Sequence, residues 1–154
     1  MLVKLNTENK LLLENQLCFS IYACSREITK LYRPILEKFG LTYPQYLVLL
    51  SLWEQDSQSV KELGDKLFLD SGTLTPMLKR MESTGLIFRK RDSNDERKVF
   101  ISLTEDGKNL KAEAYCIPEQ FFTESNATYD EFLSLLNQTK SLLQKIHTAN
   151  ENKK

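Results

Sequence analysis

One histidine and three cysteines, none of them in a CxxC pair, leave this chain of 154 residues with little from which to build a zinc site or a disulfide framework. His147 stands alone near the end. Cys18, Cys24 and Cys116 are an odd set, so each is either inert filler or a reactive group kept in a reducing compartment. Neither a metal nor a cofactor is expected. Net charge is missing too: 21 Lys and Arg balance 21 Asp and Glu, and any attraction to a polyanion must come from local clustering. Long apolar runs are also lacking. The opening MLVKLNTENK has no signal-peptide core, and the longest apolar patch, YLVLLSLW from Tyr46 to Trp53, is too short to span a bilayer. A cytoplasmic protein with no membrane partner is expected, without internal repeats or low-complexity segments and long enough for one real core.

What is present is helical periodicity. From Leu11 onward apolar residues fall at Leu13, Leu17, Ile21, Cys24, Ile28, Leu31, Ile35 and Phe39, which predicts a helix from about Leu11 to Phe39 ended by Gly40. Pro34 lies inside it and predicts a kink or break near Tyr32. Thr42 and Gln45 have capping-box spacing, with Pro44 in a first turn, so YLVLLSLW becomes a buried second helix. Ser59 and Glu62 repeat the box ahead of VKELGDKLF, with Val60, Leu63 and Leu67 on one side. After a turn at Leu69 and Asp70 comes SGTLTPMLKRMESTGL, whose Leu74, Met77, Leu78 and Met81 form one face, and Gly85 stops it. Pro76 predicts that this helix is distorted or begins nearer Thr73. The period then changes to two: LIFRKR, DSNDER and KVFISL read as strand, charged turn and strand.

Two short helices joined by a turn and followed by a hairpin make a winged helix-turn-helix, within a mainly α chain. Thr104 starts a fifth helix that reaches about Cys116, where Ile117 and Pro118 interrupt it. A last helix, Tyr129 to His147, carries more apolar residues than so small a fold needs, which points to a partner chain. NENKK is read as a frayed tail.

The charge clusters where a DNA reader needs it. Between Lys79 and Lys98, Lys79, Arg80, Arg89, Lys90, Arg91, Arg97 and Lys98 outnumber four acids by three. A helix opening on Ser and Thr can donate to phosphates while its side chains enter the major groove, and Lys79 or Arg80 can anchor the backbone or read guanine. Arg97 at the hairpin tip is placed for an adjacent minor groove.

The run LFLDSGTLTPMLKRMESTGLIFRKRDSNDERKVFISLTEDG, with ENQLCF and LTYPQYLVLLSLWE, resembles the MarR family of dimeric winged-helix repressors, and within it the organic-hydroperoxide-sensing OhrR type. The resemblance covers roughly Glu14 to Pro118. It implies that Asp95 orients Arg97 for the minor groove, that Ser71, Thr73, Thr75 and Arg80 contact DNA from the recognition helix, and that the first and last helices build a homodimer. Two recognition helices would then meet major grooves about 34 Å apart on a pseudo-palindromic double-stranded operator. The regions expected are 1–40 for redox sensing and dimerisation, 41–103 for the DNA-binding lobe and 104–154 for C-terminal dimerisation helices.

The thiols fit that frame unequally. Cys18, Tyr22, Ser25, Thr29 and Tyr32 lie along one side of the first helix, and Cys24 points the other way, where it reads as a small core residue. Tyr32 is about 21 Å from Cys18 along a straight helix, too far to touch it, but in a two-fold dimer Tyr32 and Tyr43 of the mate can reach it. The resemblance implies the same: Cys18 is the peroxide-reacting thiol, and Tyr32 and Tyr43 contact it across the dimer. Oxidation of the thiolate by an organic hydroperoxide gives a sulfenic acid, which a second thiol converts to a disulfide. Cys116 and a low-molecular-weight cellular thiol both stay open for that step. Two rivals remain: a regulator induced by a small phenolic ligand, and a thiol peroxidase, against which the lack of a thioredoxin-like pattern counts.

Overall fold

Two glycines at positive φ, Gly40 (65°) and Gly85 (76°), lie just past the ends of helices whose apolar spacing has run out. The structure is a computed structural model and describes residues 9–95 and 97–153. Residues 1–8, Glu96 of the DER motif and the final Lys154 lie outside the described residues. Among the described residues the order is α1 (Leu17–Glu37), α2 (Tyr43–Glu54), β1 (Gln58–Ser59), α3 (Val60–Leu67), α4 (Ser71–Ser83), β2 (Ile87–Arg91), β3 (Val99–Leu103), α5 (Glu105–Ala114), α6 (Cys116–Ser125) and α7 (Tyr129–Glu151). The antiparallel sheet has the order β1-β3-β2, with Ile87 opposite Leu103 and Arg91 opposite Val99. This is the expected winged helix-turn-helix: α3 and α4 are its two helices, β2 and β3 its wing.

Caps set the helix starts. Gln45 Oε1 accepts from the Thr42 N–H at 2.9 Å at the head of α2. Ser59 Oγ accepts from the Glu62 N–H, while Glu62 Oε2 accepts from the Ser59 N–H at 2.7 Å; these bonds hold the Glu62 carboxyl below its usual range. Thr104 Oγ1 accepts from the Gly107 N–H at 3.0 Å and starts α5. Each such cap contributes about 1 kcal/mol. The helices then bury Ile35, Leu36, Leu49, Leu52, Leu63, Leu74, Leu78 and Met81 against Ile87 and Ile101 of the wing, one continuous core. Trp53 Nε1 donates to the Gly107 carbonyl at 2.8 Å, and the Leu103 N–H donates to Asp56 Oδ1 at 2.9 Å, so α2 is tied to the base of the wing.

Several expectations need correction. The first helix begins at Leu17, not Leu11, because the amides of Asn15 and Gln16 bond back to the carbonyls of Asn9 and Lys10 and hold a 3-10 turn at Leu13–Asn15. Pro34 does not break α1: Ile35 and Leu36, directly after it, are fully buried and their packing outweighs one lost hydrogen bond. Pro76 likewise sits inside α4, which begins at Ser71 and not near Thr73, because Asp70 caps it. The fifth helix does stop near Cys116, at Ala114; what was not expected is the separate α6 that starts at Cys116, with Ile117 and Pro118 in its first turn, where proline's missing N–H costs nothing. The last helix continues past His147 to Glu151, headed by a capping box of Thr128 and Glu131.

Cys24 is exposed, not a core residue. The first half of α1, with Leu17, Phe19, Ile21 and Tyr22, is exposed as well, and α7 has no buried residue among its 23. Leu133, Leu135, Leu136, Leu143 and Ile146 are all exposed along it. The apolar stripes read from the sequence exist, but within one chain they are uncovered.

Candidate functional site

The helix-turn-helix face is built from the α4 N-terminus upward. Asp70 Oδ1 accepts from the Thr73 N–H at 2.9 Å and Oδ2 from the Thr73 hydroxyl at 2.7 Å, which lowers the Asp70 carboxyl below its usual range. Thr73 thus serves the cap as well as the surface. Ser71, Lys79 and Arg80 are exposed, and Thr75 is half-buried. Among the described residues Lys79 and Arg80 have no acidic partner, so both ammonium and guanidinium are free for phosphates or bases.

At the wing tip Asp95 Oδ1 accepts from the Arg97 backbone N–H at 3.2 Å and from its Nε at 3.1 Å. The Arg97 side chain is 91% exposed, against 30% for Asp95, so the acid steadies the root of an arginine whose far end stands in solvent. Exposure of the pair limits its worth to stability, and its value is direction. Arg89, expected among the DNA contacts, is turned instead toward α4. It meets Glu82 at 3.4 Å with a side chain only 20% exposed, and its Nε is buried without a partner among the described residues. Between α3, α4 and the wing lies a cleft lined by Lys61, Ser71, Thr75, Arg89 and Arg97. Lys61 belongs to it and was not anticipated, since a single lysine on a capped helix gives no sequence signal.

A second cluster forms at the other end of the molecule. The Tyr32 ring lies 4.8 Å from that of Tyr43 and 6.2 Å from that of Tyr46, and stacks on Phe121 at 4.3 Å with 7° between planes. Burial raises the pKa of all three phenols; in Tyr32 the neighbouring Tyr43 and Tyr46 add to it, and in Tyr46 so do Tyr43 and Cys116. The three therefore stay protonated, as hydrogen-bond donors. Cys116 is half-buried beside Tyr46, its thiol donating to the Glu113 carbonyl at 3.3 Å. Tyr46 and Phe121 were not foreseen in this cluster: Tyr46 reads as plain core in a buried helix, and Phe121 falls in a stretch with no clear period.

Cys18 is not with them. It is exposed in the first turn of α1, at the positive end of the helix dipole, and has no hydrogen bond to a described residue. Because α1 is unbroken, Tyr32 lies about 21 Å further along it. One turn after Cys18, the Tyr22 hydroxyl accepts from Arg26 at 3.0 Å, with the guanidinium also over the ring. The chain thus brings Tyr32 and Tyr43 together and holds its own thiol away from both.

Comparison with known proteins places the fold in a family. A family model described as transcriptional regulator SarA/Rot matches residues 30–114. The organic hydroperoxide resistance transcriptional regulator of Bacillus subtilis (strain 168) is 54% identical over 138 residues, covering 90% of this chain and 94% of its own. Reduced AbfR bound to DNA, a solved structure, is 38% identical with a TM-score of 0.74, covering 92% of this chain and 99% of that one. A disulfide-formed AbfR superposes with a TM-score of 0.58 at 41% identity, covering 85% of this chain and 92% of its own. Among the described residues no helix is long and apolar enough to cross a membrane. The chain belongs to the MarR/SarA family of winged-helix transcriptional regulators, in its organic hydroperoxide resistance (OhrR) branch.

Proposed function

We propose that the protein is a cytoplasmic homodimeric repressor that holds a pseudo-palindromic operator while Cys18 is reduced and releases it when an organic hydroperoxide oxidises that thiol. The observation that carries this reading is the separation within one chain of a bare thiol and a preformed cluster of protonated tyrosines. Uncovered apolar faces on α1 and α7 supply the dimer that closes the gap. In that dimer Tyr32 and Tyr43 of one protomer donate to the Cys18 sulfur of the other, or to the peroxide oxygen that departs as the O–O bond breaks. The reduced, DNA-bound and disulfide-formed states of AbfR support the same cycle. Residues 1–40 and 104–154 then act as the sensing and dimerising frame of a DNA-binding lobe at 41–103.

Chemically, the Cys18 thiolate attacks the distal peroxide oxygen; an S–O bond forms, the O–O bond breaks, and the alkoxide takes a proton to leave as an alcohol. The sulfenic acid then condenses with a second thiol, releasing water and forming a disulfide that moves α1 and the spacing of the two reading heads. Cys116 beside Tyr46 supplies that thiol within the dimer, and a low-molecular-weight thiol is the alternative. With each thiol consumed once per signal, the protein is a sensor and not an enzyme.

Duplexes selected from random DNA by the reduced protein provide the probe. Reduced protein is expected to shift them, an alkyl hydroperoxide to abolish the shift, and a dithiol reductant to restore it. A non-reducing gel of the same samples shows a covalent dimer if Cys116 completes the step. In the same titration Arg97→Ala weakens reduced binding by roughly 30-fold or more, the loss of one groove contact from each of the two wings. Peroxide-insensitive binding by the wild type would reject the redox reading in favour of induction by a small phenolic ligand.

A further inference from the structure

Apolar packing holds only the base of the wing. Ile87, Ile101 and Leu103 are buried there. Further out, a cleft of about 490 Å³ lies between the wing and helices α3 and α4, and Val99 on its wall is only half-buried. The tilt of the outer wing against the recognition helix is therefore left to polar contacts. Glu82, in the last turn of α4, reaches across: its Oε1 accepts from the Arg89 backbone N–H at 3.2 Å and its Oε2 from Arg89 Nη1 at 3.4 Å. Among the described residues no other side chain of α4 bonds to β2 or β3.

Stability does not account for this arrangement. The Glu82 side chain is 41% exposed, so the ion pair is worth little, and Arg89 has given up water at Nε without gaining a partner there among the described residues. What the two bonds supply is an angle. Arg89 stands opposite Ile101, and Arg97 comes four residues before Ile101, about 13 Å of extended chain further out. A tilt of about 10° at that rung carries Arg97 about 2 Å sideways, against a minor groove only about 6 Å wide.

We propose that Glu82 and Arg89 are positioning residues for the operator: the pair fixes the angle between α4 and the wing at which Arg97 enters the minor groove while the recognition helix occupies the major groove, and Arg89 itself does not touch the duplex. This rests on Arg97 being the minor-groove contact. A phosphate contact by Arg89 would have the opposite signature, because taking the charge off Glu82 would then free the arginine, remove an anion from the DNA-facing side and tighten binding.

The test is a double-mutant cycle on the full-length reduced dimer, read as affinity for the selected duplexes by fluorescence anisotropy. Arg89→Met is expected to weaken binding roughly tenfold, a part of what Arg97→Ala removes, and to cost the same factor in an Arg80→Ala background. In an Arg97→Ala background it should cost less than about twofold, since no contact is left for the wing to place. A variant that had merely lost folded protein would lose the same factor in every background. Glu82→Gln, which keeps the shape of the side chain, should weaken binding as well, although it removes a negative charge. Equal losses with and without Arg97, or a Glu82→Gln protein that binds as tightly as the wild type or more tightly, would overturn the positioning role. If Arg97→Ala itself leaves affinity unchanged, the minor-groove reading of the wing fails and takes this proposal with it, while release of the wild type by peroxide still tests Cys18 on its own.

Discussion

A Cys18→Ser protein is expected to bind operator DNA as tightly as the reduced wild type and to stay bound at peroxide doses that strip the wild type completely. The change is nearly isosteric at an exposed position that makes no hydrogen bond to a described residue, so neither folding nor the distant wing feels it. A serine hydroxyl, by contrast, is scarcely ionised near neutrality and cannot take oxygen from a hydroperoxide as sulfur does. The dose for half-release should rise by roughly 100-fold or more, beyond what remains specific for thiols. Fluorescence anisotropy of a labelled duplex during peroxide titration reads this directly. Release of the serine variant at the wild-type dose would show that the signal enters elsewhere.

Gly107→Ala should have the largest effect on stability. A Cβ at this position would lie 2.1 Å from the Leu86 carbonyl oxygen and 3.2 Å from Leu103 Cδ2. That oxygen cannot move aside, because it accepts from the Thr104 N–H at 3.1 Å just before β2 begins. Relief requires α5 to back away from the wing, which would also loosen the Trp53 bond to the Gly107 carbonyl and the Thr104 cap. The expected cost is about 3 kcal/mol or more, equivalent to roughly 6–12 °C in the melting temperature of a protein this size. Wild type and variant must be compared at equal protomer concentration, since dissociation is linked to unfolding. A fall of under about 2 °C would mean that α5 does not depend on this close approach.

The parts of this architecture that sequence discloses are those with a local cause. Ser59 with Glu62 and Thr42 with Gln45 announce helix starts because capping chemistry is confined to four residues. The wing is legible because its alternation changes period from the helix before it. Strand β1 was not, since Gln58 and Ser59 are two residues paired with β3 and too short for any pattern. Helix α6 was hidden by Pro118, which reads as a break although it lies in a first turn. Cys24 shows a different limit: periodicity reveals which positions form an apolar stripe, but not whether the stripe is covered by its own chain. The sensor was partly legible for the same reason. Helix rise alone keeps Cys18 from Tyr32, yet nothing local announces that Tyr46 and Phe121 gather around that tyrosine, with Cys116 beside Tyr46.

Each sensing centre on this reading draws its sulfur from one polypeptide and its phenols from the other, and that has a genetic consequence. A Cys18→Ser chain still owns intact tyrosines; a Tyr32→Phe, Tyr43→Phe chain still owns an intact thiol. Either homodimer is deaf, but co-expression yields mixed dimers in which one centre is whole and the other doubly broken. Two defective alleles should therefore complement each other in the same cell and restore part of the response, an outcome closed to any detector assembled within a single polypeptide.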